Sequence, residues 1–252
     1  MKIKGYSLGT GKPVICVPIT ETGKNEIRKA AQQGIKQGAA ALEWRMDWYS
    51  QVDQWNQVEE VLEELSEMCR NTILLCTFRS KAQGGQREIA EETYRLLLKS
   101  IAGNGGADLL DVEVRELLEA SDVIEQLHGM GQKVIGSQHY FSYTPDVQQM
   151  RREFQDMQRT GADIGKLAVM PQTSMDVIHL MEAAAGMKES SPEYLLAAMA
   201  MGGLGAVSRV SGQLFGSCIT FASAGKASAP GQLLIEDTIM ILDKLSESMG
   251  RE

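Results

Sequence analysis

The sequence predicts an α/β protein built as a (β/α)8 barrel, and three observations carry that expectation. Eight apolar runs rich in β-branched residues recur along the chain. Amphipathic stretches of helical period separate them. The length of 252 residues suits eight such units. The runs cover residues 14–20, 41–47, 72–78, 108–114, 133–141, 163–170, 194–202 and 215–222. Helical periodicity follows at 24–38, 53–70, 88–102 and 146–159, and the stretch 235–249 closes the chain. Alternation of this kind implies parallel pairing through helical crossovers. A doubly wound open sheet is the rival, but it usually needs fewer strands for this length. Ahead of the first run, residues 2–12 read as a short hairpin plugging the bottom of the barrel, with Gly9-Thr10-Gly11 in its second half. No Pro/Gly/Ser-rich linker divides the chain, so residues 1–252 are expected to form a single domain.

Composition narrows the function. Lys and Arg number 25 against 33 Asp and Glu, a net charge of −8. A general nucleic-acid binder needs a basic surface to neutralise phosphates, so that class is excluded. A hydrophobic content of 43% with 23% charged residues describes a chain that can bury a core, not a disordered one. No apolar run approaches the ~20 residues of a membrane helix. The start Met1-Lys2-Ile3-Lys4-Gly5 lacks the apolar stretch of a secretory signal, so a cytoplasmic location is expected. Cys16, Cys69, Cys76 and Cys218 show no C-x-x-C spacing and read as reduced, structural thiols.

Nucleotide and transition-metal motifs fail residue by residue. A phosphate loop ending at Gly11-Lys12 would need Gly where Tyr6 stands and Ser or Thr where Pro13 stands. Gly203-Leu204-Gly205 has Ser208 in place of the third glycine of a dinucleotide fingerprint. His128, His139 and His179 are scattered without zinc spacing.

The informative feature is polar residues at alternate positions of otherwise apolar strands. Side chains two apart share a face. Glu43, Arg45 and Asp47 therefore face one way, against Trp44, Met46 and Trp48. The next strands repeat the pattern with Thr77 and Arg79, then Asp111 and Glu113, then Ser137 and His139, then Lys166. In a barrel the apolar faces pack on the helices, so the charged faces point to the axis, toward the end where barrel enzymes build their sites. Burying so many charges requires that they pair with each other or with a ligand.

Lys166 admits two readings. Dehydration on the axis disfavours its ammonium form and gives an amine able to attack a carbonyl. Alternatively it is an ammonium paired with a barrel carboxylate. His139 is the one histidine at a strand end and is the candidate general acid and base. His128 and His179 fall on predicted helices and carry no assigned chemistry. A Schiff base at a ketone acidifies the adjacent C–H bond. Lys166, His139 and an anion-binding Arg therefore fit a lyase acting on a carboxylated hydroxyketone.

Specific motifs extend this reading. They are Glu43-Trp44-Arg45-Met46-Asp47, Thr77-Phe78-Arg79, Asp111-Val112-Glu113, and His139 with Phe141 and Thr144-Pro145. Further blocks are Gly161-Ala162-Asp163-Ile164 running into Lys166, Ala168-Val169-Met170-Pro171-Gln172, Ser208-Arg209, and Ala227-Ser228-Ala229-Pro230-Gly231-Gln232. Over residues 14–232 the chain resembles the type I 3-dehydroquinate dehydratases of the shikimate pathway of aromatic amino acid biosynthesis. The resemblance implies a homodimeric (β/α)8 barrel that uses no metal or organic cofactor and acts on the small molecule 3-dehydroquinate. It implies that Lys166 forms an imine with the C3 ketone and that His139 removes a C2 proton and returns one to the departing C1 hydroxyl. By the same matching, Glu43, Arg45 and Arg79 hold ring hydroxyls and Arg209 takes the carboxylate. Ser228 and Gln232 sit on a closing loop over residues 223–231, and Met201 lines the pocket.

Two departures from the family pattern stand out. Gln83 precedes Gly84-Gly85 where the family commonly has a Glu supporting the catalytic His, so support here comes without charge. Tyr140 follows His139 where Asp is common, and both changes are expected to touch the base. They motivate an alternative, a divergent Schiff-base lyase or aldolase acting on a related hydroxyketo acid. A third reading, a non-catalytic barrel that binds a metabolite through Arg45, Arg79 and Arg209, would have no use for Lys166 or His139.

Overall fold

The computed structural model describes residues 1–225 and 228–250. Two short antiparallel strands, β1 (Lys2–Ile3) and β2 (Tyr6–Ser7), precede eight parallel ones. These are β3 (Val14–Ile19), β4 (Ala41–Arg45), β5 (Ile73–Thr77), β6 (Leu109–Glu113), β7 (Lys133–Tyr140), β8 (Ile164–Val169), β9 (Leu195–Ala200) and β10 (Ile219–Phe221). They pair in chain order from β3 to β9, and β10 returns beside β3. A bridge from Leu196 to Ser217, with Cys218 N–H donating to Leu196 O at 2.7 Å, draws β9 to the start of β10 and completes the ring.

The helices are α1 (Lys24–Lys36), α2 (Trp55–Met68), α3 (Glu91–Asn104), α4 (Ala120–Gly129), α5 (Val147–Arg159), α6 (Ser174–Ser190), α7 (Ala206–Val210), α8 (Gly212–Phe215) and α9 (Ile235–Ser248). Caps set two of the starts. The Asp146 carboxylate accepts from Gln149 N–H ahead of α5, and Thr173 with Asp176 forms a capping box at α6. On α5, Met150, Phe154 and Met157 recur at helical spacing and pack against Leu167 and Val169 of β8.

Strand parity divides the core into layers. Trp44, Cys76 and Val112 face the helices. Leu75, Ile135 and Ile164 face the axis, where Leu8 at 1% exposure caps the strand starts. The hairpin thus closes the bottom of the barrel, as the sequence predicts. Its turn lies at Lys4-Gly5, with φ of 46° and 86°, because a two-residue turn of this hand needs positive φ at both central positions. Gly9-Thr10-Gly11 belongs to the connection into β3. Lys4 Nζ anchors the hairpin to Cys69 O at 2.7 Å and to Asp108 at 2.7 Å.

All eight strands are shorter than their apolar runs, and two of them show why. The run 41–47 ends at Arg45 and continues as a tight 3-10 turn, Met46–Trp48. The run 215–222 begins in α8, which Gly216 ends in the left-handed conformation at φ 87°, leaving Ile219–Phe221 as strand. A short apolar run does not by itself distinguish the last turn of a helix from a strand.

Candidate active site

Above the apolar plug, the inward positions of β4 to β8 are polar and charged. Asp111 is fully buried at their centre. Its Oδ1 accepts from Arg79 Nη2 at 2.9 Å and Ser137 Oγ at 2.5 Å, and its Oδ2 accepts from Lys166 Nζ at 3.0 Å. Glu43 Oε1 accepts from Thr77 Oγ1 at 2.9 Å and from Lys166 Nζ at 3.3 Å. Glu113 Oε1 takes Arg79 Nη1 at 2.8 Å and the Ser80 N–H at 2.9 Å. Burial alone would push the Arg79 guanidinium down, but Asp111 and Glu113 beside it hold it well above its ordinary value. Burial likewise acts to raise the Asp111 carboxyl, and Arg79 with Lys166 outweighs it and holds the group low.

Lys166 lies within this network at 3% exposure, with its Nζ 4.6 Å from the centre of the Phe221 ring. Of the two readings of Lys166, the geometry of the paired one is present, with Nζ within ion-pair distance of both Asp111 and Glu43, and such pairing offsets the loss of hydration. Arg45 is held by both oxygens of the fully buried Asp47, at 2.8 and 2.9 Å. Asp47 also accepts the backbone N–H groups of Arg79 at 3.3 Å and Gln86 at 3.1 Å. It therefore ties β4 to the loop after β5 rather than pointing down the axis.

That loop brings Gln83 against His139. After the 3-10 turn Lys81–Gln83, Gly84 takes a φ of 82°. A side chain on Gly84 would enter the Phe141 ring, and one on Gly85 would come within 1.8 Å of the Arg79 carbonyl oxygen, so both positions require glycine. Gln83 Oε1 lies 3.1 Å from His139 Nδ1. Phe141 stacks near-parallel to the imidazole at 6.2 Å. Burial, then Arg79, Lys166 and Arg45, push His139 well below its ordinary value and favour its neutral form.

Tyr140 faces away from this pocket. Its hydroxyl donates to Glu153 on α5 at 2.5 Å, and Glu153 is ion-paired with Arg115. The expectation that this position touches the base is corrected by parity, since neighbours on a strand face opposite ways.

One cavity, partly open to solvent, is lined by Glu43, Arg45, Arg79, His139, Lys166, Met201, Arg209, Ser228 and Gln232. All nine residues singled out from the sequence meet there. Arg209 differs from the other cations. It is 2% exposed, its Nη2 donates to Pro230 O at 3.3 Å, and its buried Nε has no partner among the described residues. Burial pushes its guanidinium down to about 10. Ser228 and Gln232 are bonded to one another, with Gln232 Nε2 donating to Ser228 Oγ at 2.9 Å and Oε1 accepting the Ser228 N–H at 2.8 Å. Lys226 and Ala227, within the expected closing loop, lie outside the described residues.

Sequence reasoning missed Phe221, Met199 and Ala168 in the lining, together with Gln138 and Glu116 behind Gln83. The period of two along β8 to β10 points the first three inward and could have found them. The last two approach only through tertiary structure.

The family model described as Type I 3-dehydroquinase matches residues 15–249. A 3-dehydroquinate dehydratase of Klebsiella pneumoniae is 39% identical over 97% of this chain and 98% of its own. The solved 3-dehydroquinate dehydratase of Geobacillus kaustophilus superposes with a TM-score of 0.95 at 32% identity, covering 98% of this chain and 96% of that one. The type I enzyme of Clostridium difficile, solved with covalent modified comenic acid, gives 0.94 at 36% identity and 98% coverage of both.

Proposed function

Because the chain belongs to the type I 3-dehydroquinase family, we propose that it dehydrates 3-dehydroquinate to 3-dehydroshikimate through a Schiff base on Lys166. The observation that carries this reading is one pocket holding a buried lysine, an imidazole favoured as neutral, and a guanidinium without a carboxylate. Arg209 takes the substrate carboxylate in a charge-assisted pair. Glu43 and Arg45 meet the ring hydroxyls. Arg79, whose donors already serve Asp111, Glu113 and Ser137, adds a cationic wall and holds Asp111, one of the two Lys166 partners, in place.

The chemistry begins when Lys166 loses a proton. Asp111, held low by its two cations, is a poor acceptor, so the proton passes to His139 in the same pocket. The amine then attacks the C3 carbonyl carbon, one amine hydrogen and the proton held by His139 pass to the carbonyl oxygen, and that oxygen leaves as water. The resulting iminium draws electrons from the C2–H bond. His139 takes that proton, the C2–C1 double bond forms, and the C1 hydroxyl departs as water with a proton returned by His139. Water hydrolyses the imine and restores the lysine. The covalent modification in the Clostridium difficile relative is in keeping with this scheme. The same reading makes the protein a cytoplasmic homodimer acting on a free small molecule.

Borohydride added with 3-dehydroquinate is expected to fix a reduced adduct on the Lys166 peptide, detected by mass spectrometry. Lys166→Ala is expected to abolish formation of the conjugated enone. An unmodified lysine with no enone from the wild-type protein would overturn the proposal.

A further inference from the structure

We propose that Glu116 is a positioning residue for the reaction, acting through the Gln83 amide to hold His139 in the tautomer whose Nε2 is free to act as base. The inference rests on the reading of His139 as the general base.

Gln83 is 1% exposed, and its amide has three polar neighbours. Nε2 lies 3.4 Å from Glu116 Oε1 and 3.4 Å from Gln138 Oε1, while Oε1 lies 3.1 Å from His139 Nδ1. A reversed amide would aim its carbonyl at two oxygens and its NH2 at the ring. Gln138 is itself an amide and can turn to suit either arrangement. Glu116 as a carboxylate can only accept, so it makes the arrangement one-way. With the Gln83 carbonyl fixed toward the ring, Nδ1 must carry the hydrogen and the lone pair sits on Nε2.

Charge reinforces the geometry. The groups facing His139 are Arg45 from β4, Arg79 after β5 and Lys166 from β8, all cations that oppose an imidazolium. The buried carboxylates Asp47, Glu43, Asp111 and Glu113 are bonded to those same cations. Glu116, at the end of the 3-10 turn Val114–Glu116 that follows β6, approaches from the Nδ1 side. An N–H donated to a carboxylate polarises the amide and makes its carbonyl a stronger acceptor, so negative charge at 116 is felt at the ring. This also gives a physical reason for glutamine at 83. A glutamate there would set two carboxylates about 3.4 Å apart, where like charges cannot both ionise freely.

The test is nitrogen-15 NMR of the histidine rings in the substrate-free protein, with activity measured alongside. His128 and His179 serve as internal references. In wild type the His139 signals at neutral pH should report the Nδ1–H form. Glu116→Gln can present either end of its amide, so the Nδ1–H population should fall and the ring should titrate roughly half a pH unit lower. Its kcat should drop roughly three- to tenfold with KM little changed, since a weakened base is felt in the proton-transfer step. Glu116→Asp should restore part of the loss. An unchanged His139 tautomer and titration in Glu116→Gln would overturn the proposal even if dehydration proceeds. Loss of the tautomer in a protein that never dehydrates 3-dehydroquinate would uphold the relay and refute the assigned reaction instead.

Discussion

Arg209 is the pocket cation to which the chain supplies no carboxylate among the described residues, and that absence has two opposite consequences. A buried charge without a counter-charge destabilises the empty protein, while the same charge binds an anionic ligand strongly. Arg209→Met keeps most of the volume and removes the charge. It is therefore expected to raise KM for 3-dehydroquinate roughly 30-fold, following about 2 kcal/mol for charge-assisted hydrogen bonds. The melting temperature of the substrate-free protein should hold or rise. Steady-state kinetics and thermal melts on the same preparation check both arms. A fall in melting temperature with KM unchanged would mean that the guanidinium serves the fold and not the ligand. Lys166 shows the reverse arrangement, since its two carboxylates make it a stable part of the empty barrel.

At the scale of elements, the hairpin and the charged strand ends that line the pocket occupy opposite ends of the barrel, so stability and activity should separate. Leu8 is 1% exposed among residues at the strand starts. Leu8→Ala leaves a cavity there and is expected to cost about 2–5 kcal/mol in denaturant unfolding. kcat and KM at 25 °C should stay unchanged, and a loss of activity without a loss of stability would contradict the division. What the sequence made legible follows the same division. Alternation along β4 to β8 was enough to aim Glu43, Asp111, Glu113 and Lys166 at the axis, because a period of two is a local property of the chain. The same period turns Tyr140 away from His139, so the expectation that Tyr140 touches it, drawn from adjacency in sequence, was wrong. The pairing of Lys166 was not legible, since it depends on distances to Glu43 and Asp111 set by three strands from different parts of the chain. Nor was Glu116, which meets Gln83 through two loops 33 residues apart.

For the whole molecule, a neutral histidine kept among cations becomes a liability in acid. Above about pH 6.5, the ordinary histidine value, His139 is neutral whether the chain is folded or not, so it contributes nothing to the pH dependence. As pH falls below that value the unfolded chain binds a proton that the folded one refuses, because burial and then Arg79, Lys166 and Arg45 depress the folded value. Unfolding is thereby favoured, by up to about 1.4 kcal/mol per pH unit for one proton, until the folded ring titrates as well. The Asp111 carboxyl, also held low when folded, adds a second loss of the same sign, but only below the ordinary carboxylate range. The two contributions are thus separated in pH. Urea unfolding of wild type and His139→Gln between pH 7 and 5 isolates the first, since His128 and His179 are common to both proteins. Wild type should lose stability across that window while the variant loses distinctly less, with the curves running parallel above pH 7. Parallel curves throughout would mean that the imidazole takes up its proton as readily in the folded barrel as in water. A base that charges so readily would be largely protonated just below neutrality, and the dehydration rate would then have to fall on the same acid limb.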